Sequence, residues 1–167
     1  MNKKTKGAIA AGAAAALLAG GAGSFALWSD SETLNGGTIT AGTLTLTAQG
    51  SPSWSDENGA IDISTFRAVP GDVLTYKAQA VVGATGDNLE AAITVDPASI
   101  TGDLAASLGT PVVSMEIAGS PVSTITDDNN NEVVDVEVAF TFAQGAGNAT
   151  QTKTASLANM TLTLQQQ

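Results

Sequence analysis

Residues 134–142 read Val134-Asp135-Val136-Glu137-Val138-Ala139-Phe140-Thr141-Phe142. In an extended chain Val134, Val136, Val138, Phe140 and Phe142 fall on one side, and Asp135, Glu137, Ala139 and Thr141 on the other. A strict period of two marks a strand with one face buried and one face wet. The same alternation recurs upstream, where Leu74, Tyr76, Ala78, Ala80 and Val82 interleave with Thr75, Lys77, Gln79 and Val81. Near the C-terminus Met160, Leu162 and Leu164 alternate with Thr161 and Thr163. Residues 38–47 read as another strand, but its apolar parity switches from Ile39 and Ala41 to Leu44 and Leu46. That switch predicts a bulge at Ala41-Gly42, where glycine removes the steric cost. Weaker strand signals lie at 61–66, 91–95, 112–117 and 122–126, and residues 103–108 read as one helical turn. About eight short strands separated by Gly, Pro, Asp and Asn predict an all-β fold, a two-sheet antiparallel sandwich that is jelly-roll-like.

Ahead of this domain the sequence changes character. Met1-Asn2-Lys3-Lys4-Thr5-Lys6 is basic, residues 7–23 are an apolar run of mostly Ala and Gly, and Ser24 and Ala26 are small residues just before Leu27. This is the layout of a cleaved, helical signal peptide with its cut between Ala26 and Leu27. A membrane anchor is the competing reading. The run is short for a span and weakly hydrophobic, which favours cleavage and no permanent membrane anchor. The chain therefore divides into a signal peptide (1–26), a flexible N-terminal segment (27–37) and a sandwich domain (38–167). The flexible segment is polar and acidic, with Leu27, Trp28 and Leu34 as its large apolar groups before the first strand. Such a tail buries these groups only where a sheet edge is open. Trp28 and Leu34 are thus candidate assembly residues, inserting as a strand into a neighbouring subunit and propagating head-to-tail. The alternative is a disordered tail on a monomer.

Composition narrows the function classes. Hydrophobic residues make up 43% of the chain but aromatics only 4%, so the core is built from small side chains. Three of the six basic residues lie in the leader and none of the sixteen acidic ones do. Three basic against sixteen acidic residues leave the processed domain at −13. That charge opposes binding to nucleic acid or anionic membranes. The absence of Cys and His removes disulfides, thiolate nucleophiles, Ser-His-Asp triads and the usual zinc ligands. No catalytic, cofactor-binding or metal-ligating set is found.

Four short segments invite a chemical reading. Asp127-Asp128-Asn129-Asn130-Asn131-Glu132 has the acid and amide spacing of a calcium loop at its first three ligand positions. Glu132 then stands where such a loop needs Gly, and Val138 where it needs Glu. A hairpin turn is the favoured reading over a weak cation site. Val69-Pro70-Gly71-Asp72 fits a type II turn. Asp56 and Glu57 pair two carboxylates in an expected surface loop. Trp54, expected in the same loop, either stacks on a sugar or packs on the core edge, and a single aromatic makes no binding platform.

The run Gly23-Ser24-Phe25-Ala26-Leu27-Trp28-Ser29-Asp30-Ser31-Glu32-Thr33, followed by Gly37-Thr38-Ile39-Thr40-Ala41-Gly42-Thr43-Leu44-Thr45-Leu46, resembles the N-terminus of the TasA/camelysin family. Trp28 stands where that family carries an aromatic residue, and Pro70-Gly71-Asp72 matches its turn into a strand. The resemblance covers about residues 3–76. It implies a leader cut by a SipW-like signal peptidase, export, and a jelly-roll-like sandwich in extracellular matrix fibres or at the cell surface. The Ala/Gly-rich leader and low lysine content depart from the better-known Gram-positive members and point to an actinobacterial relative. Some members carry a metalloprotease label, but a chain without His cannot build the two-His zinc site of such enzymes. The expectation is a secreted, non-enzymatic structural protein, a subunit or accessory of biofilm or matrix fibres, that self-associates into filaments. The alternative is a secreted adhesin or a cell-wall or glycan-binding module.

Overall fold

The structure, a computed structural model, describes residues 2–21, 31–32 and 34–167. The chain divides into two units, Met1–Ile39 and Thr40–Gln167. In the first, α1 spans Lys3–Gly21. Its many alanines lose no side-chain entropy on entering a helix, which offsets the glycines among them. Among the described residues no helix is long and apolar enough to cross a membrane. Residues 34–39 carry no regular secondary structure.

The second unit is mostly β. Its strands are β1 Thr43–Asp56, β2 Gly59–Ile61, β3 Val73–Thr85, β4 Ala91–Val95, β5 Val112–Ile117, β6 Ser120–Val122, β7 Val133–Thr141 and β8 Leu162–Gln166. Six of them form one antiparallel sheet in the order β2-β1-β3-β7-β5-β6, and β4 pairs with β8 in a second. The alternation at 134–142 is realised as read. Val134, Val136, Val138 and Phe140 expose 1% of their surface or less, and Phe142 is buried beside them. In register, Phe140 faces Leu74 and Val134 faces Ala80 on β3, while Val136 faces Met115 on β5. Ala91 and Ile93 of β4 enter the same buried cluster, and Leu162 and Leu164 of β8 pack against it half-buried. Full burial of each Val, Leu or Ile stabilises by about 1.5–3 kcal/mol. Without any cysteine, this small-residue core has no covalent support.

Two local devices hold the sheets in place. The turn at Val69-Pro70-Gly71-Asp72 is closed by Asp72 N–H donating to the Val69 carbonyl at 3.1 Å, and Gly71 takes φ +104°, as a type II turn requires. The Asp72 carboxylate accepts back from Val69 N–H at 2.8 Å. On the far side, Ile125 exchanges both backbone hydrogen bonds with Ala91, at 2.7 and 2.9 Å. Ile125 and Ala91 are fully buried, so this isolated bridge ties the segment after β6 to β4.

Several expectations are corrected. Residues 38–42 are not a strand, and no bulge sits at Ala41-Gly42: β1 begins at Thr43. Gly42 is required for another reason. A Cβ built there would lie 1.9 Å from the Thr85 carbonyl oxygen, so the chain enters the sheet through a contact only glycine permits. The register irregularity of β1 falls between Gln49 and Ser53 instead. Beyond it β1 continues through Trp54, so Trp54 lies on a strand and not in a loop. The strand expected at 61–66 ends at Ile61, because Asp62 turns the chain: its carboxylate accepts from Ser64 N–H and Ser64 Oγ. The strand expected at 122–126 is reduced to β6 and the single bridge at Ile125. The helical turn at 103–108 is a 3-10 turn, Ala105–Ser107.

Candidate functional site: an open, uncharged sheet edge

Ser24, Ala26, Leu27 and Trp28, the cleavage and anchor residues, lie outside the described residues. Leu34 is described, and it exposes 82% of its surface; Ile39, five residues on, exposes 98%. Two large aliphatic side chains thus stand in water within one short, irregular segment.

The segment from Asp127 to Glu132 is a structural corner. It is not a hairpin turn, because β6 and β7 are not neighbours in the sheet. Asp127–Asn129 form a 3-10 turn closed at its N-terminal end: Thr126 N–H donates to Asn129 Oδ1 at 3.0 Å, and Asn129 N–H donates to the Thr126 carbonyl at 3.1 Å. Asn130 Oδ1 accepts from Ala84 N–H at 3.0 Å, and Asn129 Nδ2 donates to Glu132 Oε2 at 3.1 Å. Asn131 takes φ +65° and donates its N–H to the Val82 carbonyl. Of the side-chain oxygens in this run, Asn129 Oδ1, Asn130 Oδ1 and Glu132 Oε2 are thus bonded within the protein. Among the described residues no group of three His, Cys, Asp or Glu side chains is placed to hold a metal ion.

The other chemical candidates are also absorbed by structure. Trp54 meets Tyr76 edge-on with ring centroids 5.2 Å apart and Phe140 at 5.8 Å, so it packs half-buried on the edge of the core. Asp56 accepts from Asn58 N–H at 2.8 Å inside the β1–β2 hairpin. The Asp62 carboxyl is held below the ordinary carboxylate value, first by the Ser64 hydroxyl and then by the Ser64 backbone N–H. On the outer face of the large sheet a shallow depression of about 300 Å³ is lined by Ser53, Lys77, Gln79, Glu116, Asp135 and Glu137. Lys77 bonds Glu137 at 2.5 Å and Gln79 bonds Asp135 at 2.8 Å. These are half-exposed cross-strand pairs of modest worth.

What remains is an edge. On β1, residues 43–49 pair with β3 on one side, while β2 covers only residues 54–56 on the other. Among the described residues no strand pairs with the outer edge of 43–49, nor with the outer edge of β8. β1 also approaches β8. Leu44 and Leu46 of β1 and Leu162 and Leu164 of β8 pack against the core only half-buried. The sequence around both strands is also uncharged: residues 40–55 and 154–167 contain no Asp, Glu, Lys or Arg, in a chain with sixteen acidic residues. Soluble proteins usually protect free edges with lysines, inward charges or covering segments. Apart from Pro52 and the register shift beyond Gln49, this edge has none of these among the described residues.

No family model, no curated protein and no solved structure matches this chain. The edge itself therefore carries the reading. The sequence showed the apolar stripe Leu44 and Leu46 but not that its strand would be an outer one. Edge position depends on which strands pair across long separations, and periodicity is silent on that. The uncharged runs at 40–55 and 154–167 were the available signal.

Proposed function

We propose that the chain is a secreted, non-catalytic structural protein, related to the TasA/camelysin group, that builds or decorates extracellular matrix fibres of a Gram-positive, actinobacterial cell. In this reading a SipW-like signal peptidase removes residues 1–26 at the Ala26-Leu27 bond. The two sheets are then a jelly-roll-like sandwich, closed on one side by the Ile125–Ala91 bridge and open on the other. The single observation that carries the proposal is the uncharged, unpaired edge of β1 beside the half-buried leucines of β1 and β8. A strand added there satisfies backbone groups and covers Leu44 and Leu46 together. The donor is the N-terminal segment of another subunit, with Trp28 as its main anchor and Leu34 as a second apolar contact. A donor and an acceptor on different parts of the molecule make a head-to-tail contact, which propagates unless it closes.

The adhesin or wall-binding alternative has less support. Trp54, the one aromatic offered for glycan stacking, is spent on the core. The experiment is to compare sedimentation of the processed chain with a version lacking residues 27–36. The proposal expects the intact form to polymerise with concentration and the shortened form to stay monomeric. Two monomers, or two equal polymers, would refute strand donation.

A further inference from the structure

We infer that Asn35-Gly36 is a site of spontaneous self-modification, at which the asparagine amide is lost to the chain's own backbone. The sequence contains two Asn-Gly pairs, Asn35-Gly36 and Asn58-Gly59. Glycine leaves the following backbone nitrogen unshielded, so both pairs have the required atoms. The structure separates them.

Asn35 lies in the irregular segment, exposed, with Gly37 after Gly36. Gly37 N–H donates to Asn35 Oδ1 at 3.3 Å. That bond polarises the Cγ carbonyl that the Gly36 nitrogen attacks. The Asn35 amide nitrogen has no protein partner among the described hydrogen bonds. Asn58 is held in the opposite sense. Its N–H donates to Asp56 Oδ1 at 2.8 Å and its Nδ2 to Asp56 Oδ2 at 3.4 Å, which draws the amide back toward Asp56. Gly59 is fixed in the ladder opposite Asp56.

The chemistry balances with water alone. The deprotonated Gly36 nitrogen adds to Asn35 Cγ; the new C–N bond forms as the Cγ–Nδ2 bond breaks and ammonia leaves. Water then opens the resulting succinimide at either carbonyl, giving aspartate or isoaspartate. Either product places a carboxylate in the uncharged stretch 33–55, and isoaspartate adds a methylene to the backbone. In a segment that pairs as a strand, an added backbone atom disrupts the register. The loss of assembly with age rests on the fibre reading above; the modification itself does not.

The test uses the full chain, aged in neutral and mildly alkaline buffer. Peptide mapping by mass spectrometry follows conversion at each site, with isoaspartate scored by enzymatic methyl transfer. Conversion at Asn35 should outrun that at Asn58 by about tenfold or more, because hydrogen bonds to a carboxylate must open before Asn58 reacts. Gly36→Ala should suppress conversion at Asn35. The substitution fits, since a Cβ there meets nothing within 4 Å. Asp56→Ala should speed conversion at Asn58. Equal rates at the two sites, or no conversion at Asn35, would overturn the inference. Sedimentation of aged and fresh processed protein is read separately: conversion without loss of assembly would count against the fibre reading's use of this segment and leave the modification standing.

Discussion

Replacing Phe140 with alanine tests the core most sharply. The side chain is 1% exposed, faces Leu74 across β3 and lies 5.8 Å from Trp54, centroid to centroid. Burying an aromatic ring removes about 150–250 Å² from water. At about 25 cal/mol per Å² that is worth roughly 4–6 kcal/mol as an upper bound. Alanine retains part of this, and the neighbours collapse only partly into the space. Phe→Ala in a packed core typically costs about 3–5 kcal/mol, and we expect that range here. Domains of this kind have about 5–15 kcal/mol in total, so the variant loses a large fraction of its stability. Thr141→Ala is the control, one residue along the same strand with its side chain in solvent, and should cost less than about 1 kcal/mol. Urea unfolding followed by far-UV circular dichroism gives both values. Equal losses at the two positions, or a loss below about 1 kcal/mol at Phe140, would refute the assignment of faces and with it the arrangement of the sheet.

Four other outcomes are expected. Asn130→Ala should cost about 1–3 kcal/mol in the same assay, because it leaves the partly buried Ala84 N–H unpaired, while EDTA and added calcium leave the melting temperature unchanged. Gly42→Ala should destabilise by about 1–3 kcal/mol or more, since its Cβ collides with the Thr85 carbonyl and the strand entry must shift. Ala26→Arg should leave an uncut, cell-retained precursor, detected as a larger species on immunoblots of the cell fraction, because the peptidase pocket reads small residues.

The buried strands were legible because one face of each is wet, which forces alternation onto the sequence. β7 and β3 sit at the centre of the large sheet and carry that pattern in full. β1 was legible only to Thr47: between Gln49 and Ser53 the register shifts, and Gly50 and Pro52 interrupt the apolar alternation before Trp54 resumes it. Residues 38–42 misled in the other direction, since Ile39 has the look of a strand residue yet stands in water. The corner at Asp127 to Glu132 showed its turn chemistry plainly. That it docks on Val82 and Ala84, instead of joining paired strands, depends on the order in which β3, β7 and β5 meet. Long-range pairing of this kind also decides which edges stay open, and the candidate site is such an edge.

Sedimentation velocity of the processed chain, over a series of rising concentrations, addresses the fibre claim most directly when run beside Thr47→Lys. Thr47 lies exposed on the unpaired edge of β1, and a lysine there is the protection that the edge lacks. Growing species are expected for the unaltered chain and a monomer at every concentration for the variant, with circular dichroism unchanged between them. A monomer for both, or equal growth for both, would contradict it.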